Sequence, residues 1–345
     1  MIKRINYSFV ILALLLLLVP GGGCSNAPTP TPSGKITFVS DREGTPYIYA
    51  MNPDGSNPVK LGSWFGIPNT FHWSPDSERL AFIDGDGWLC VVDADGGSLS
   101  KLAEIPSYSI LWSPDGSKIA AGRLDYEIFL IDTATGKLQN LTSTPDIKEW
   151  WPVWSPDGSQ IAFIVYNPPC CEITIMDADD NNQTMIASEQ GICEELIWSL
   201  DGKNVCYTWY SEDEQGPEGI CRDICLVDVQ DRSKVNLTNS PKFDDSDLSW
   251  SPGDTRIAFS SRRQIVDIQI YVMNVDGSKV RKLTAGDSSN YLPSWSPDGN
   301  KIIFTSSGPH PTGKDICIMN NDGTNVINLT NTPDIDDYLA IWSPQ

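Results

Sequence analysis

The chain has 345 residues, of which 40% are hydrophobic, and it contains 27 glycines and 25 prolines. That composition is typical of a turn-rich globular protein and excludes a helical bundle. The formal net charge is −21, from 24 basic and 45 acidic residues. Because such a surface repels phosphate groups, we expect no nucleic-acid partner. The acidity favours cations or basic proteins, or simply keeps the protein soluble.

The N-terminal segment has the composition of an export signal. Residues 1–23 combine Lys3 and Arg4 with an apolar run, Phe9–Val19, and end in small residues. The run is 11 residues long, whereas a membrane-spanning helix needs about 20. We therefore predict a signal peptide over 1–23 and an extracytoplasmic protein, either periplasmic or at the cell surface.

The end of this segment, VPGGGCS, resembles the lipobox of bacterial lipoproteins, which implies lipidation of Cys24 and a membrane anchor through the N-terminal lipid. It departs from the lipobox at Gly21, where leucine is usual, so cleavage without lipidation and an uncleaved anchor are the alternatives. Residues 24–33 form a linker rich in proline and threonine after Cys24. Polyproline conformation at about 3.1 Å per residue would extend residues 25–33 to about 28 Å.

The rest of the chain is built from repeats. A tryptophan followed by Ser-Pro-Asp-Gly, or by a near copy, occurs at Trp73, Trp112, Trp154, Trp198, Trp250, Trp295 and Trp342. The proline presets the second position of a type I turn, and the glycine suits its end. The gaps between these tryptophans are 39 to 52 residues. A period of this size is typical of a propeller blade with four strands.

The predicted strands follow in the same order in every unit. Apolar second strands begin with ITFVS at 36–40 and end with IIFT at 302–305. Third strands lead into turns rich in aspartate and asparagine, as in IYAMNPDG at 48–55 and ICIMNNDG at 316–323. Polar fourth strands end in Lys-Leu or Asn-Leu-Thr, as at 328–330. Their polarity suits an outer edge that must not recruit other chains.

The two ends of the chain are complementary fragments of one unit. The first unit has no tryptophan strand before it, and the last tryptophan strand, IWSP at 341–344, has no strands after it. We therefore predict an all-β fold over 34–345, a seven-bladed β-propeller of four-stranded blades closed by pairing of the N-terminal and C-terminal strands. Each tryptophan is expected to wedge between neighbouring blades, where its burial contributes at most roughly 4–6 kcal/mol.

The repeat resembles the TolB-type β-propeller repeat, W-S-P-D-G-x-x-I-A-F-x-S followed by I-Y-x-M-D-x-D-G and L-T. The segments WSPDGSQIAFIV at 154–165 and WSPDGNKIIFTS at 295–306 carry the resemblance, which covers about 34–345. Single turns depart from it at Ser77, at Leu200 and at 253–254. The resemblance implies the fold and a protein partner in the cell envelope. TolB proteins have an α/β domain before the propeller, where this sequence has only the signal and linker.

Few residues suit catalysis, and we expect a non-catalytic protein with no catalytic residues. The chain has two histidines, His72 beside a tryptophan and His310 in a loop, and it contains no G-x-S-x-G motif. Related propellers in prolyl oligopeptidases precede a hydrolase domain, which is not found here. Oligogalacturonate lyases use a similar propeller with a manganese site built mainly from histidines, which two histidines in separate units do not readily rebuild.

Long acidic and aromatic loops precede several tryptophan strands, as in PDIKEWWP, KFDDSDLSW and PDIDDYLAIW. We expect these loops to surround the central channel together with the loops between second and third strands. The aromatic residues suit a protein partner or a sugar. The carboxylates suit Ca²⁺, although no EF-hand spacing occurs, and solvated loops are the alternative. The candidate partner-binding residues are Trp150, Trp151, Asp244, Asp245, Asp247, Asp334, Asp336, Asp337 and Tyr338. Other aromatic candidates are Trp64, Phe65 and Tyr291.

The cysteines indicate disulfides. Cys24 belongs to the signal, and an even set of eight remains in an exported protein. Three of them, Cys90, Cys225 and Cys317, share one third-strand position and are expected in the core. The better disulfide candidates are Cys170, Cys171, Cys193 and Cys221, with the pairing left open.

Two functions are compatible with these patterns. The first hypothesis is a membrane-tethered, non-catalytic propeller that binds a protein of the cell envelope. The alternative is a glycan-binding, lyase-type or hydrolase-type propeller that uses the acidic and aromatic loops on the channel face. The insert WYSEDEQGPEGICRDIC at 209–225 is a second candidate partner site under the first hypothesis.

Overall fold

A computed structural model describes residues 34–344 except 65, 67–69, 145, 180–181, 212–214, 217–218, 264–266 and 309–312. The predictions for the signal peptide, for Cys24 and the linker, and for Phe65 and His310 lie outside the described residues. All regular structure in the described part is β-strand. The same part of the chain contains no helix that is long and apolar enough to cross a membrane.

Seven antiparallel sheets of four strands form the ring, and we number these blades in chain order. Blade 1 contains β1 (Ile36–Ser40), β2 (Tyr47–Met51), β3 (Val59–Ser63) and β30 (Asp337–Trp342). Blade 2 contains β4 (Phe71–Trp73), β5 (Arg79–Ile83), β6 (Trp88–Asp93) and β7 (Leu99–Glu104). Blade 3 contains β8 (Ser107–Trp112), β9 (Lys118–Arg123), β10 (Ile128–Asp132) and β11 (Leu138–Asn140). Blade 4 contains β12 (Lys148–Trp154), β13 (Gln160–Asn167), β14 (Cys170–Asp177) and β15 (Gln183–Gln190).

The remaining blades follow the same order, and blade 5 carries the only inserted hairpin in the described part. Blade 5 contains β16 (Ile192–Trp198), β17 (Asn204–Tyr210), β20 (Asp223–Asp228) and β21 (Lys234–Asn236), with β18 (Gln215–Gly216) and β19 (Gly219–Ile220) forming the hairpin. Blade 6 contains β22 (Asp245–Trp250), β23 (Arg256–Ser261), β24 (Gln269–Asn274) and β25 (Arg281–Lys282). Blade 7 contains β26 (Ser289–Trp295), β27 (Lys301–Ser307), β28 (Lys314–Asn320) and β29 (Ile327–Asn328).

The predicted closure of the ring is confirmed. Strand β30, at the C-terminal end, pairs antiparallel with β1 from Ile36↔Trp342 to Ser40↔Asp337. Beyond the strands, the Ser343 amide donates to the Lys35 carbonyl at 2.8 Å, and the Lys35 amide donates to Ser343 Oγ at 3.0 Å. Blade 1 is thereby completed by three strands from one end of the ring and one strand from the other.

The tryptophans seal the contacts between blades, as predicted. Trp112 packs with Ile83 and Leu89 of blade 2, and Trp295 packs with Ile270 of blade 6. Each indole side chain therefore fills the space between its own blade and the preceding one. Two of the indoles also donate to a backbone carbonyl of the preceding inner strand: Trp112 Nε1 to His72 and Trp198 Nε1 to Val153, both at 3.1 Å.

The Ser-Pro-Asp-Gly turns line one face of the ring, which we call the turn face. In blade 3 the Gly116 amide donates to the Ser113 carbonyl at 2.9 Å, and Gly116 has a φ of 70°, which favours glycine. The irregular turns of blades 5 and 6 compensate one another. Leu200 stands where proline is usual and therefore has an N–H, and it donates to Asp254 Oδ1 at 2.8 Å. That aspartate is the residue displaced by the swapped order at 253–254.

The Asn-Leu-Thr sequences have a structural role that the sequence pattern did not indicate. Asp223, at the start of β20, accepts from Asn236 Nδ2 at 2.9 Å, from Thr238 Oγ1 at 3.0 Å and from the Ser240 amide at 2.6 Å. In blade 7, Asp315 accepts from Asn328, Thr330 and Thr332 in the same manner. One carboxylate thus fixes the loop that leads to the next inner strand.

A disulfide joins blades 4 and 5. Cys171 and Cys193 are bonded, whereas Cys170 and Cys221, the other two candidates, are not in a disulfide. The core positions predicted for Cys90, Cys225 and Cys317 are confirmed, because all three side chains are buried.

We expect replacement of both Cys171 and Cys193 by alanine to lower the free energy of unfolding by about 3 kcal/mol. The bond closes a loop with a sequence separation of 22 residues, and its loss restores the corresponding entropy to the unfolded chain. Denaturant unfolding of both proteins measures the difference. A reducing agent should destabilise the wild-type chain to the level of the variant, and equal stabilities under oxidising conditions would contradict the expectation.

Candidate partner-binding face

The face opposite the turns is formed by two sets of loops, and we call it the loop face. These are the loops that lead to each inner strand and the loops between second and third strands. Contacts join the two sets, as predicted: Arg42 Nη2 lies 3.1 Å from Asp337 Oδ1, and Arg263 Nη2 lies 2.9 Å from Asp245 Oδ2. Lys314 Nζ contacts Asp336 at 2.9 Å in the same region.

Aromatic side chains recur at one position of this face. The residue four places before the blade tryptophan is Tyr108, Trp150, Tyr291 or Tyr338 in four blades. All four are half-buried, and each lies near the start of its inner strand, at the end that borders the loop face. Trp64 contacts Tyr338 edge-on, with the ring centroids 5.6 Å apart. The loop face thus keeps partly exposed aromatic surface on several blades.

Two of the candidate carboxylates are fully buried and engaged within the protein. Asp245 accepts hydrogen bonds from Ser240 Oγ at 2.6 Å and from Ser261 Oγ, in addition to its ion pair with Arg263. Asp337 accepts from Thr332 Oγ1 at 2.6 Å and pairs with Arg42. Both side chains have an exposed fraction of 0%. They fix the loops in place and present no surface to a partner.

Asp244 and Asp336 are only partly exposed and are paired with cations, whereas Asp334 is exposed, with a φ of 68°. Asp244 Oδ1 lies 2.7 Å from Arg222 Nη1, and Glu194 Oε2 lies 2.8 Å from Arg222 Nε. Burial works against the charge of Arg222, but the two carboxylates outweigh it and raise its pKa. The sequence analysis included Arg222 only as part of the insert 209–225, because its partners lie 22 and 28 residues away, just before β22 and in β16.

A second pair of acids lies within the inner strands of blades 5 and 6. Glu195 and Asp247 occupy the position three residues before the tryptophan, in bulges where their φ angles are 51° and 57°. Glu195 accepts from the Asp247 amide at 3.2 Å and from the Leu248 amide at 3.1 Å. Asp247 in turn accepts from the Leu292 amide of the next blade at 3.2 Å. Each carboxylate therefore holds the bulge of the following blade.

Burial shapes the charge of this pair. It raises the pKa of Asp247 to about 7. Burial and the neighbouring Asp247 carboxylate together raise the pKa of Glu195 well above its usual range. Sequence reasoning singled out Asp247 but not Glu195. The common offset from the tryptophan was the signal that would have found it.

The structure gives no support to a histidine site among the described residues. His72 is buried, and its Nδ1 lies 2.9 Å from the Trp73 carbonyl. In the part of the chain that the structure describes, no three His, Cys, Asp or Glu side chains group in an arrangement that suits a metal ion.

Sequence comparison finds TolB proteins. Residues 218–345 match the family described as the TolB beta propeller domain. A TolB homologue of Chlorobium chlorochromatii is 32% identical over 136 residues, which are 38% of this chain and 31% of that protein. An uncharacterised protein of Agrobacterium fabrum is 24% identical over 268 residues, which are 71% of this chain and 85% of that protein.

Solved structures share the fold. TolB from Acinetobacter baumannii superposes with a TM-score of 0.55 at 20% identity, over 87% of this chain and 79% of that chain. An oligogalacturonate lyase from Vibrio parahaemolyticus superposes with a TM-score of 0.66 at 18% identity, over 83% of this chain and 86% of that chain. At these identities the similarity concerns the fold alone. The repeat sequence, the family match over residues 218–345 and the closed ring of seven blades together support a TolB-type β-propeller.

Proposed function

We propose that the protein is a non-catalytic module that binds a protein of the cell envelope through its loop face. The observation that carries this proposal is the recurrence of half-buried aromatic residues at the loop-face end of the inner strands, at the same offset in four blades. Rigid aromatic side chains that keep exposed surface are the anchors that protein interfaces favour.

The acidic residues have a different place in the proposal. The buried ones, such as Asp245 and Asp337, keep the loops in a fixed conformation. A preformed surface loses less conformational freedom on binding, which favours affinity. Asp244 and Asp336 are paired with Arg222 and Lys314. The exposed Asp334 therefore contributes rim charge, which affects the rate of association more than the final affinity.

The proposal includes an extracytoplasmic location and a lipid anchor at Cys24. The described chain enters the ring on the turn face, where Lys35 is hydrogen-bonded to Ser343. A tether at that point would leave the loop face directed away from the membrane and accessible to a partner.

A capture experiment tests the proposal. The full-length chain would be immobilised in detergent and exposed to solubilised native envelope, with and without Ca²⁺. We expect one retained protein, and we expect a variant with Trp151→Ala and Tyr338→Ala to lose it. Leu99→Ala is the control, because that side chain is 55% exposed on an outer strand far from the loop face. Equal retention by the loop-face variant would contradict the proposed site.

The competing hypothesis is a glycan-binding or lyase-type propeller. The same aromatic residues suit stacking on sugar rings, and the fold is shared with oligogalacturonate lyase. A polysaccharide array distinguishes the two functions. Binding to one polysaccharide that is lost in the loop-face variant, or turnover of that polysaccharide, would replace the first proposal with this one. A Ca²⁺ requirement in either experiment would support calcium binding by the acidic loops.

A further inference from the structure

Five aromatic side chains form a continuous group on the loop face between blades 3 and 4. We call this group the aromatic ridge: Tyr108, Tyr126, Trp150, Trp151 and Tyr166. The distances between the centroids of neighbouring rings are 5.6 Å (Trp150–Tyr166), 5.9 Å (Tyr126–Trp150), 6.3 Å (Tyr108–Tyr126) and 6.2 Å (Tyr108–Trp151). All five residues are partly exposed. The capture experiment concerns the whole loop face, whereas the ridge is one defined part of it.

The backbone of blade 4 holds the ridge in position. The Tyr108 hydroxyl donates to the Glu149 carbonyl at 2.8 Å, and the Glu149 amide donates to the Tyr126 carbonyl at 2.9 Å. Gly122 leaves room for the ring beside it, because a Cβ at that residue would lie 2.6 Å from Tyr108 Cε2. The rings are therefore preorganised, which reduces the entropic cost of binding.

Exposed aliphatic side chains flank the ridge. Leu124 is 44% exposed in the loop that contains Tyr126, and Ile147 is 41% exposed just before β12. Among the described residues, the other strongly exposed aliphatic side chains lie on or beside outermost strands, except Ile220 in the inserted hairpin. The loop face thus concentrates apolar surface at the ridge, as expected for a binding surface.

The ring geometry favours a peptide over a sugar. Tyr108 meets Trp151 at an interplanar angle of 69°, and Tyr126 meets Trp150 at 61°. Rings at such angles form ridges and grooves instead of the flat floor on which a sugar ring stacks. Alternate residues of a polyproline II segment are about 6.2 Å apart, which matches the spacing of the ring centroids. Proline-containing segments in this conformation bind aromatic-lined grooves.

The charge around the ridge favours a basic ligand. Three acids, Asp125, Glu127 and Asp146, lie beside the ridge together with two cations, Arg123 and Lys148. Lys148 Nζ lies 5.0 Å from the centroid of the Tyr126 ring, so the ridge has a net excess of one acid. Arg123 is already paired with Asp125. The whole chain carries a net charge of −21, so a segment with lysine or arginine would be attracted from a distance as well.

We propose that the aromatic ridge binds an extended, proline-containing, basic segment of a partner protein. This inference rests on the proposed function and specifies the chemistry of the partner. Proline rings pack on the exposed edges of the angled aromatic rings, with Leu124 and Ile147 extending the apolar contact, and basic side chains reach the surrounding carboxylates.

The experiment uses a short synthetic peptide of Pro-Pro-Lys repeats and a Gly-Ser-Lys peptide of equal length and charge. Calorimetry with the full-length chain in detergent measures both dissociation constants. We expect the proline peptide to bind more tightly by about tenfold or more, and Trp150→Ala to weaken its binding by a similar factor. Trp88→Ala is the matched control on blade 2, and Tyr126→Ala is a second ridge variant in case the first is poorly folded. Binding of the proline peptide should also weaken as salt is raised.

The inference would be overturned if the two peptides bind equally well. It would also be overturned if neither Trp150→Ala nor Tyr126→Ala weakens binding of the proline peptide. If the envelope protein is still captured through the loop face but the proline peptide does not bind, the proposed function stands and only the ridge inference falls. If instead a polysaccharide binds and Trp150→Ala abolishes that binding, the proposed function and this inference both fall.

Discussion

Removal of residues 334–345 is expected to prevent the ring from folding. The deletion takes away β30, which is the inner strand of blade 1 and, among the described residues, the strand that joins the two ends of the propeller. Without it, β1 has an unpaired edge, and the tryptophan that seals blade 7 against blade 1 is lost. Circular dichroism and thermal unfolding of the truncated chain would measure the effect.

The size of the effect follows from burial. Leu339, Ile341 and Trp342 have exposed fractions of 0%, 4% and 5%. Their burial contributes roughly 10 kcal/mol as an upper estimate, which is comparable to the entire stability of a typical domain. The exposed edge of β1 would in addition provide a template for aggregation.

A permuted chain is the control for this truncation. Residues 334–344 would be placed before Gly34, so that the inner strand precedes β1 and blade 1 has the same strand order as the other blades. We expect this permutant to fold, because it restores every strand pairing while leaving the C-terminal end at blade 7. A truncated chain that unfolds with the wild-type midpoint would show that the closing strand does not hold the ring together.

The fold was predictable because its signals are local and repeated. The turn after Trp154, the alternation of strands and the complementary chain ends each appear within a few residues, and seven copies reinforce one another. Closure required only that the unpaired first unit and the unpaired last strand be matched. The turn irregularities at Leu200 and Asp254 did not disturb the assignment, because both turns still close with a backbone hydrogen bond and Asp254 accepts from the additional N–H of Leu200.

The candidate site was less predictable because its contacts join distant parts of the chain. The acidity of the loops indicated exposed carboxylates, yet Asp337 pairs with Arg42 across 295 residues. Glu195 meets Asp247 across 52 residues. Nothing in a single repeat shows that a cation from the neighbouring loop neutralises a given aspartate. The sequence pattern placed the aromatic residues on the loop face, but the grouping of Tyr126 and Tyr166 with Trp150 required the three-dimensional structure.

Asp247→Asn is expected to make the protein more resistant to high pH. Burial raises the pKa of Asp247 to about 7 in the folded chain, whereas the unfolded chain has the ordinary value of about 3.9. Between these values the folded state binds more protons than the unfolded state, so stability falls as the pH rises from about 4 to about 7. Above about pH 7 the ionised Asp247 lowers the free energy of unfolding by its full amount, which is at most about 4 kcal/mol. Asparagine removes the charge and keeps an oxygen that accepts from the Leu292 amide.

The measurement is the free energy of unfolding of both proteins by denaturant at several pH values from 4 to 9. The variant should gain stability relative to the wild type as the pH rises through the window, and the difference should level off above about pH 7. Asp115→Asn is the control, and its effect on stability should change with pH in the opposite direction. Hydrogen bonds from Ser113 and the Ser117 amide lower the pKa of that exposed carboxyl. Its stabilising contribution is present above the unfolded pKa and is lost as the pH falls. If the Asp247→Asn and wild-type curves remain parallel from pH 4 to pH 9, the buried carboxyl does not titrate within this window. In that case the neighbouring Glu195, which accepts from the Asp247 and Leu248 amides, would be the group to replace by glutamine.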